Sequence, residues 1–230
     1  MRPQVITTAV MSDDADGISV SQKPAAGGVQ SLTITGTLAS GGIATIANAQ
    51  RIGITSDDND SGVTFTITGT DADKVVMTES GITGPSSNTI LTTAYFKTVT
   101  GVTISGNATG NITVGTLAAD GMVTASIRVN WRQNPFNLSV RAKQTGTIGS
   151  ATFGAQYTMD APEIHFPDTP YSNSFNTDAD WDDMPDLNAD INTSDTDTDV
   201  YAPVQAVRGK FTVGDTAVVV KFTVNQGDNR

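Results

Sequence analysis

The stretch Val63-Thr64-Phe65-Thr66-Ile67-Thr68-Gly69 decides the fold class. Val63, Phe65 and Ile67 share one parity, and Thr64, Thr66 and Thr68 share the other. Successive side chains point to opposite faces of a strand, so this segment buries one face and wets the other. Threonine suits the wet face because its branched β-carbon favours extended backbone. Upstream, Ser31-Leu32-Thr33-Ile34-Thr35-Gly36-Thr37-Leu38 has Leu32, Ile34 and Leu38 in phase. Downstream, Val102-Thr103-Ile104 and Asn111-Ile112-Thr113-Val114 continue the pattern. The chain carries 35 threonines in 230 residues, so this alternation is the dominant signal. No segment shows a helical period.

Turn signals separate these runs: Ser40-Gly41-Gly42, Asp71-Ala72-Asp73, Gly84-Pro85-Ser86-Ser87-Asn88 and Gly106-Asn107-Ala108-Thr109-Gly110. Asp57-Asp58-Asn59-Asp60-Ser61-Gly62 reads as a hairpin turn, since Asn and Asp tolerate the φ values that turns need. Residues 28–116 are therefore expected to form one antiparallel β-sandwich module of about seven strands. Residues 1–27 carry little pattern. They read as an N-terminal arm or swapped strand that reaches a neighbouring subunit, with a joint at Gly27-Gly28. Leu117-Ala118-Ala119-Asp120-Gly121 marks a linker over 117–122. Strands resume with Ser126–Trp131, Phe136–Ala142, Ala151–Met159, Ala206–Val213 and Ala217–Val224. Residues 123–230 are expected to form a second β-sandwich with a long acidic loop over 160–200. The expected fold is all-β, with two antiparallel β-sandwich or jelly-roll-like domains in tandem.

Composition excludes several classes of function. Lys plus Arg come to 13 and Asp plus Glu to 24, giving a net charge of −11. No basic stripe can form to neutralise phosphates, so nucleic acid is not an expected partner. With no cysteine there is no disulfide, thiolate zinc site or cysteine nucleophile. The one histidine, His165, rules out a multi-histidine metal centre. It is also the one imidazole available to a Ser-His-Asp triad, and no Gly-x-Ser-x-Gly elbow accompanies it. No run of about 18 apolar residues exists, so no membrane partner is expected. Met1-Arg2-Pro3-Gln4-Val5 lacks the apolar core of a secretory signal.

Twelve of the 24 acidic residues lie between Asp160 and Asp199, a segment without Lys or Arg. Within it, Asp195, Asp197 and Asp199 are candidate ligands for a structural calcium ion, because alternate carboxylates supply hard oxygen donors. Val200 stands where an EF-hand loop needs glycine, and the bidentate Glu is missing, so the default reading is a solvated acidic loop without a cofactor. Asp178, Asp180, Asp182, Asp183 and Asp186 surround Trp181, which resembles the paired carboxylates of a glycosidase. Acids are easily found in so acidic a chain, and the expectation is a protein that is not an enzyme. Trp131, Tyr171 and Trp181 are candidates for a ligand platform that stacks sugars. The competing reading of Trp131, at the end of an alternating strand, is packing.

Two sets of residues resemble known families. The first runs through Leu32–Leu38, Arg51-Ile52-Gly53-Ile54-Thr55-Ser56, Asn59–Asp71, Glu79–Pro85 and Tyr95–Ile104. It resembles a β module that recurs in structural proteins of tailed bacteriophages and their prophage relatives. The second comprises Asn134-Pro135-Phe136-Asn137-Leu138-Ser139-Val140, Ala155-Gln156-Tyr157-Thr158-Met159-Asp160-Ala161-Pro162 and Ala202-Pro203-Val204-Gln205-Ala206-Val207-Arg208. It is similar to a small β-sandwich phage protein with "SPFN", "VQYTxDDP" and "FPVRAVRL" strands. Asn134 and Ala161 depart from that pattern, and the long loop departs most. The resemblance implies a virion structural protein, assembled in the host cytoplasm. A capsid decoration (cement) protein is the first expectation, a homotrimer seated on the major capsid protein. A neck, collar or tail-associated protein is the alternative within the virion. From another class, the alternative is a module binding glycans or a host surface.

Overall fold

The computed structural model describes residues 4–8, 13–117, 121–132, 136–146, 152–160, 175–184, 196–200, 204–213 and 218–226. In the N-terminal half the strands are β1 (Gln4–Thr8), β2 (Asp14–Gln22), β3 (Gln30–Ser31), β4 (Ala39–Ser40), β5 (Ile43–Gln50) and β6 (Gly53–Ser56). There follow β7 (Thr64–Thr70), β8 (Val76–Thr83), β9 (Thr89–Leu91), β10 (Phe96–Ile104) and β11 (Ile112–Thr116). Then come β12 (Met122–Val123), β13 (Ile127–Arg128), β14 (Leu138–Gly146) and β15 (Thr152–Thr158). A single helical turn, α1 (Phe175–Asp178), precedes β16 (Asp182–Asp183), β17 (Thr196–Val200), β18 (Ala206–Val213) and β19 (Val218–Gln226). The chain is all-β, and the strand pairings among the described residues are antiparallel.

Three sheets build two sandwiches. One four-stranded sheet runs β2-β11-β6-β9, and another runs β1-β19-β14-β17. The third has eleven strands, with a main path β16-β15-β18-β12-β5-β10-β7-β8. That sheet supplies one layer to each sandwich. In the first, Ile18, Ile54, Ile112 and Val114 of the small sheet pack with Ile46, Phe65, Ile67, Phe96 and Val102 of the large one. In the second, Val140, Phe222 and Val224 pack with Phe153, Val207 and Phe211. These are the in-phase residues of the alternating runs. Burying each of the larger side chains contributes about 2 to 3 kcal/mol.

Met122 and Val123, expected within or beside a linker, instead form the strand that fuses the two halves of the large sheet. Met122 pairs with Gln50 on one side and with Phe211 on the other. Val123 likewise pairs with Ala49 and Lys210. Both residues are almost fully buried, and their short apolar run between glycine and threonine suits a central strand.

Of residues 1–27, expected as an arm, Gln4–Thr8 and Asp14–Gln22 lie within the chain's own sheets. β1 pairs with β19 of the second sandwich, and β2 pairs with β11 of the first. The sparse alternation of β2 has a local cause. Its register shifts twice against β11, so apolar residues lose their even spacing. Ile18 is nonetheless fully buried.

Asp57–Gly62, expected as a hairpin turn, crosses from β6 in one sheet to β7 in the other. The 84–88 and 106–110 segments make similar crossings. Asp60 ties these loops together. Its carboxylate, 2 % exposed, accepts hydrogen bonds from Ser56 Oγ (2.6 Å), the Thr109 amide (2.5 Å) and the Gly110 amide (3.2 Å). Its amide donates to the Pro85 carbonyl at 2.8 Å. Asp60→Ala leaves two amides without their acceptor, and is expected to destabilise the protein by about 3 kcal/mol in urea titrations. Next to it, Asp57 accepts from the side chain and the amide of Asn111, both at 2.6 Å. These bonds hold its carboxyl below the usual 3.8, with the Asn111 side chain the largest cause. The Asp57 contribution is full above 3.8 and is lost as pH falls through the lowered value. Asp57→Asn is therefore expected to reduce the acid sensitivity of the urea midpoint in that range.

Of the expected acidic loop 160–200, the described residues 160, 175–184 and 196–200 include α1, β16 and β17. β16 pairs with β15, and β17 pairs with β14.

Candidate functional site at the junction of the two sandwiches

The β7–β8 hairpin reaches from the first sandwich to the second. Its tip is Ala72-Asp73-Lys74, and Lys74 adopts φ +66°. The Asp71 carboxylate accepts from the Val75 amide at 2.8 Å, which fixes the turn. Asp73 then points across the junction. It accepts hydrogen bonds from the Ser126 amide (2.7 Å), Ser126 Oγ (2.5 Å) and Asn176 Nδ2 (3.2 Å). Asn176, on α1, is buried, and its Nδ2 also donates to the Thr124 carbonyl at 3.3 Å.

Behind Asn176 lies Arg208 on β18, 6 % exposed. Its guanidinium donates to Asn176 Oδ1 (2.8 Å), to the Asn176 carbonyl and to Gln156 Oε1 (2.9 Å). Trp181 covers it at 4.2 Å from the ring centroid, and Trp181 Nε1 donates to the Asn176 carbonyl at 3.0 Å. Gln156 Nε2 in turn donates to Asp183 Oδ1 at 2.8 Å, and Lys210 pairs with Asp183 at 3.2 Å. Burial lowers the Arg208 pKa from its ordinary value to about 10, against the raising effects of Tyr95, Asp73, Asp183 and Asp71. This is a buried cation satisfied by amide oxygens and an aromatic face. Its role is cohesive: it ties α1 to β15 and β18.

The first sandwich also presents a threonine surface. Thr98 of β10 lies opposite Thr45 of β5 on one side and Thr70 of β7 on the other. Thr103 lies opposite Thr66, Thr68 opposite Thr78, and Thr64 opposite Thr83. Hydroxyls meet across strands at 2.8 Å for Thr70 and Thr98, and at 3.2 Å for Thr78 and Thr68. The result is a hydroxyl and methyl grid spaced about 4.8 Å across strands and about 6.7 Å along them. None of these positions carries a charge, in a protein of net charge −11.

The structure places some of the residues singled out from sequence and not others. Trp181 has one face covered by Arg208. Trp131 is 43 % exposed, with Arg132 at 4.9 Å over its ring. Tyr171, His165 and Asp195 lie outside the described residues. Asp197 and Asp199 sit in β17, opposite Arg141 and Ser139. Where a solvated acidic loop is the expectation, residues 196–200 pair as a strand with β14. Among the described residues, no group of three or more His, Asp or Glu side chains is arranged to hold a metal ion.

Sequence reading missed Asp73, Ser126, Asn176 and Arg208. No local signal marks them: Arg208 shares its strand parity with Ala206, Lys210 and Thr212, which reads as an ordinary wetted face.

No family model and no curated protein matches the chain. Among solved structures, the stem and receptor-binding domain of spike protein P1 from bacteriophage PM2 aligns over 99 % of this chain and 97 % of that chain. Identity is 9 % and the TM-score 0.19, so this likeness carries no argument about fold or function.

Proposed function

We propose that the chain is a virion structural protein of a tailed bacteriophage, and specifically a decoration protein on the outside of the head shell. The observation that carries this reading is the uncharged threonine face on a protein of net charge −11. A flat grid of hydroxyls and methyls can lie on a protein shell without like-charge repulsion. The acid-rich second sandwich then projects outward and keeps the particle soluble. The strand motifs described above, which resemble phage structural modules, support the same reading. A homotrimer over a symmetry axis of the shell fits it.

The test is light scattering after size-exclusion chromatography, with the protein alone and mixed with undecorated capsids. A trimer that co-migrates with capsids supports the reading. Thr66→Glu with Thr103→Glu, two facing positions on the threonine face, is expected to abolish co-migration and leave the trimer intact. Unchanged co-migration of that variant removes the face from the reading. Failure of the wild-type protein to bind capsids moves it to the neck, collar or tail. The exposed Trp131 favours one second reading, a glycan-binding module, and glycan-array silence removes it.

A further inference from the structure

The two sandwiches are joined through β12, two residues long, which carries the large sheet from one core to the other. Gly121 precedes it at φ +76°, a left-handed backbone that suits glycine, at an element end where hinges absorb rotation. A second tie is the tip of the β7–β8 hairpin. There the Asp73 carboxylate accepts from the Ser126 amide at 2.7 Å, Ser126 Oγ at 2.5 Å and Asn176 Nδ2 at 3.2 Å. Hydrogen bonds to a charged acceptor are the stronger kind, and three of them converge on this one side chain.

The bonds on the two sides of the 176–184 strap are unequal. Toward the second sandwich, Arg208 donates to Asn176 Oδ1, Gln156 Nε2 to Asp183 Oδ1, and the Met184 amide to the Ala155 carbonyl, each at 2.8 Å. The Met184 side chain is buried in the second core. Toward the first sandwich, Asn176 Nδ2 reaches Asp73 at 3.2 Å and Thr177 Oγ1 reaches Met77 Sδ at 3.3 Å. The strap therefore rides with the second sandwich, and the hairpin tip is the side that lets go.

The same two segments wall a cleft of about 250 Å³. Ala72 precedes Asp73 in the chain, and Thr124 and Ala125 precede Ser126. All three line the cleft, together with Lys97 of β10. Parting Asp73 from Ser126 therefore widens it.

We propose that Asp73 is the latch of a hinge. Bonded to Ser126 and Asn176 it closes the two sandwiches onto one angle, and released it lets them turn about β12 and opens the cleft. The device needs no partner, so it stands independently of the decoration reading.

The chain has no cysteine, so a labelling pair can be introduced cleanly. Thr100→Cys on β10 and Lys221→Cys on β19, both exposed, carry one spin label on each sandwich. Electron-resonance distance measurement on the full chain is expected to give a narrow distribution with Asp73 in place. In Asp73→Ala it is expected to broaden, with both cores still folded by circular dichroism. Should Asp73→Ala fail to fold, Ser126→Ala, which removes one of the three bonds, carries the same comparison. Brief acetylation of the unlabelled chain, read by mass spectrometry, is expected to modify Lys97 several-fold faster in Asp73→Ala, measured against the exposed Lys143. With Trp131→Phe leaving Trp181 as the one tryptophan emitter, acrylamide quenching is expected to stay unchanged on release, because the strap keeps its place on the second sandwich. An unchanged distance distribution in the folded variant overturns the latch, even where the melting temperature falls, since Asp73 would then only stabilise. An unchanged Lys97 rate overturns the opening of the cleft. Strong new quenching of Trp181 overturns the placing of the strap with the second sandwich.

Discussion

Proline at position 123 is expected to uncouple the two sandwiches while leaving each core assembled. Val123 lies in the middle of the eleven-stranded sheet, paired with Ala49 on one side and Lys210 on the other. In an antiparallel ladder its amide is bonded to one neighbour or the other, and proline has no amide to give. The site is 1 % exposed, so water cannot replace the lost bond. The expected cost is about 3 to 5 kcal/mol, from the missing bond, the ring clash and the lost valine packing. Calorimetry should then resolve two transitions where one is expected of the wild type. Small-angle scattering should show a broader distribution of sandwich orientations. A single transition at unchanged temperature would mean that β12 does not couple the two cores.

Arg208→Met is the second large effect. Methionine fills much of the space but leaves Asn176 Oδ1 and Gln156 Oε1 facing an apolar chain, while the Asn176 carbonyl keeps Trp181 Nε1. Removing one member of such a buried polar set costs about 3 kcal/mol or more, because the orphaned partners stay desolvated. Arg208→Lys should recover little of this. A point ammonium cannot reproduce a planar fork that bonds two residues and stacks on Trp181. The pH dependence has a defined sign. Burial lowers the Arg208 pKa to about 10 in the fold, so between that value and the ordinary arginine value the unfolded chain binds more protons. Within that window the Arg208 contribution to stability rises with pH, and below 10 it is flat. The difference between wild type and Arg208→Met should follow that slope in urea titrations. A variant as stable as wild type would show that the junction is held by β12 alone.

The strands of both cores were legible in sequence because they obey a local rule. Phe65, Ile67, Ile104, Phe153 and Phe222 each stand in an alternating run, and each is buried. What was not legible depends on partners distant along the chain. Met122-Val123 is too short to alternate, and its character comes from the neighbours that receive it on both sides. β2 hid its pattern behind two register shifts. Asp57–Gly62 has the composition of a hairpin turn, but turn composition does not say whether the next strand pairs with the last or joins the opposite sheet. The junction eluded sequence reading for a similar reason. Asp73 and Asn176 are 103 positions apart, and each alone resembles an ordinary polar loop residue. Trp181, a candidate for a ligand platform, has Arg208 of the same chain over one face.

The shared sheet also sets how the molecule bears load. The two sandwiches are joined side by side across strands, so a tension that separates them pulls along the hydrogen bonds of β12 rather than along the strands. Bonds loaded this way open one after another, whereas strands drawn lengthwise must break many together. β12 is two residues long, so few bonds stand in series. The joint is therefore a mechanical fuse, stiff under small displacements and the first element to yield. In a single-molecule pulling experiment with handles on the two sandwiches, it should give way as an early low-force event before either core unfolds.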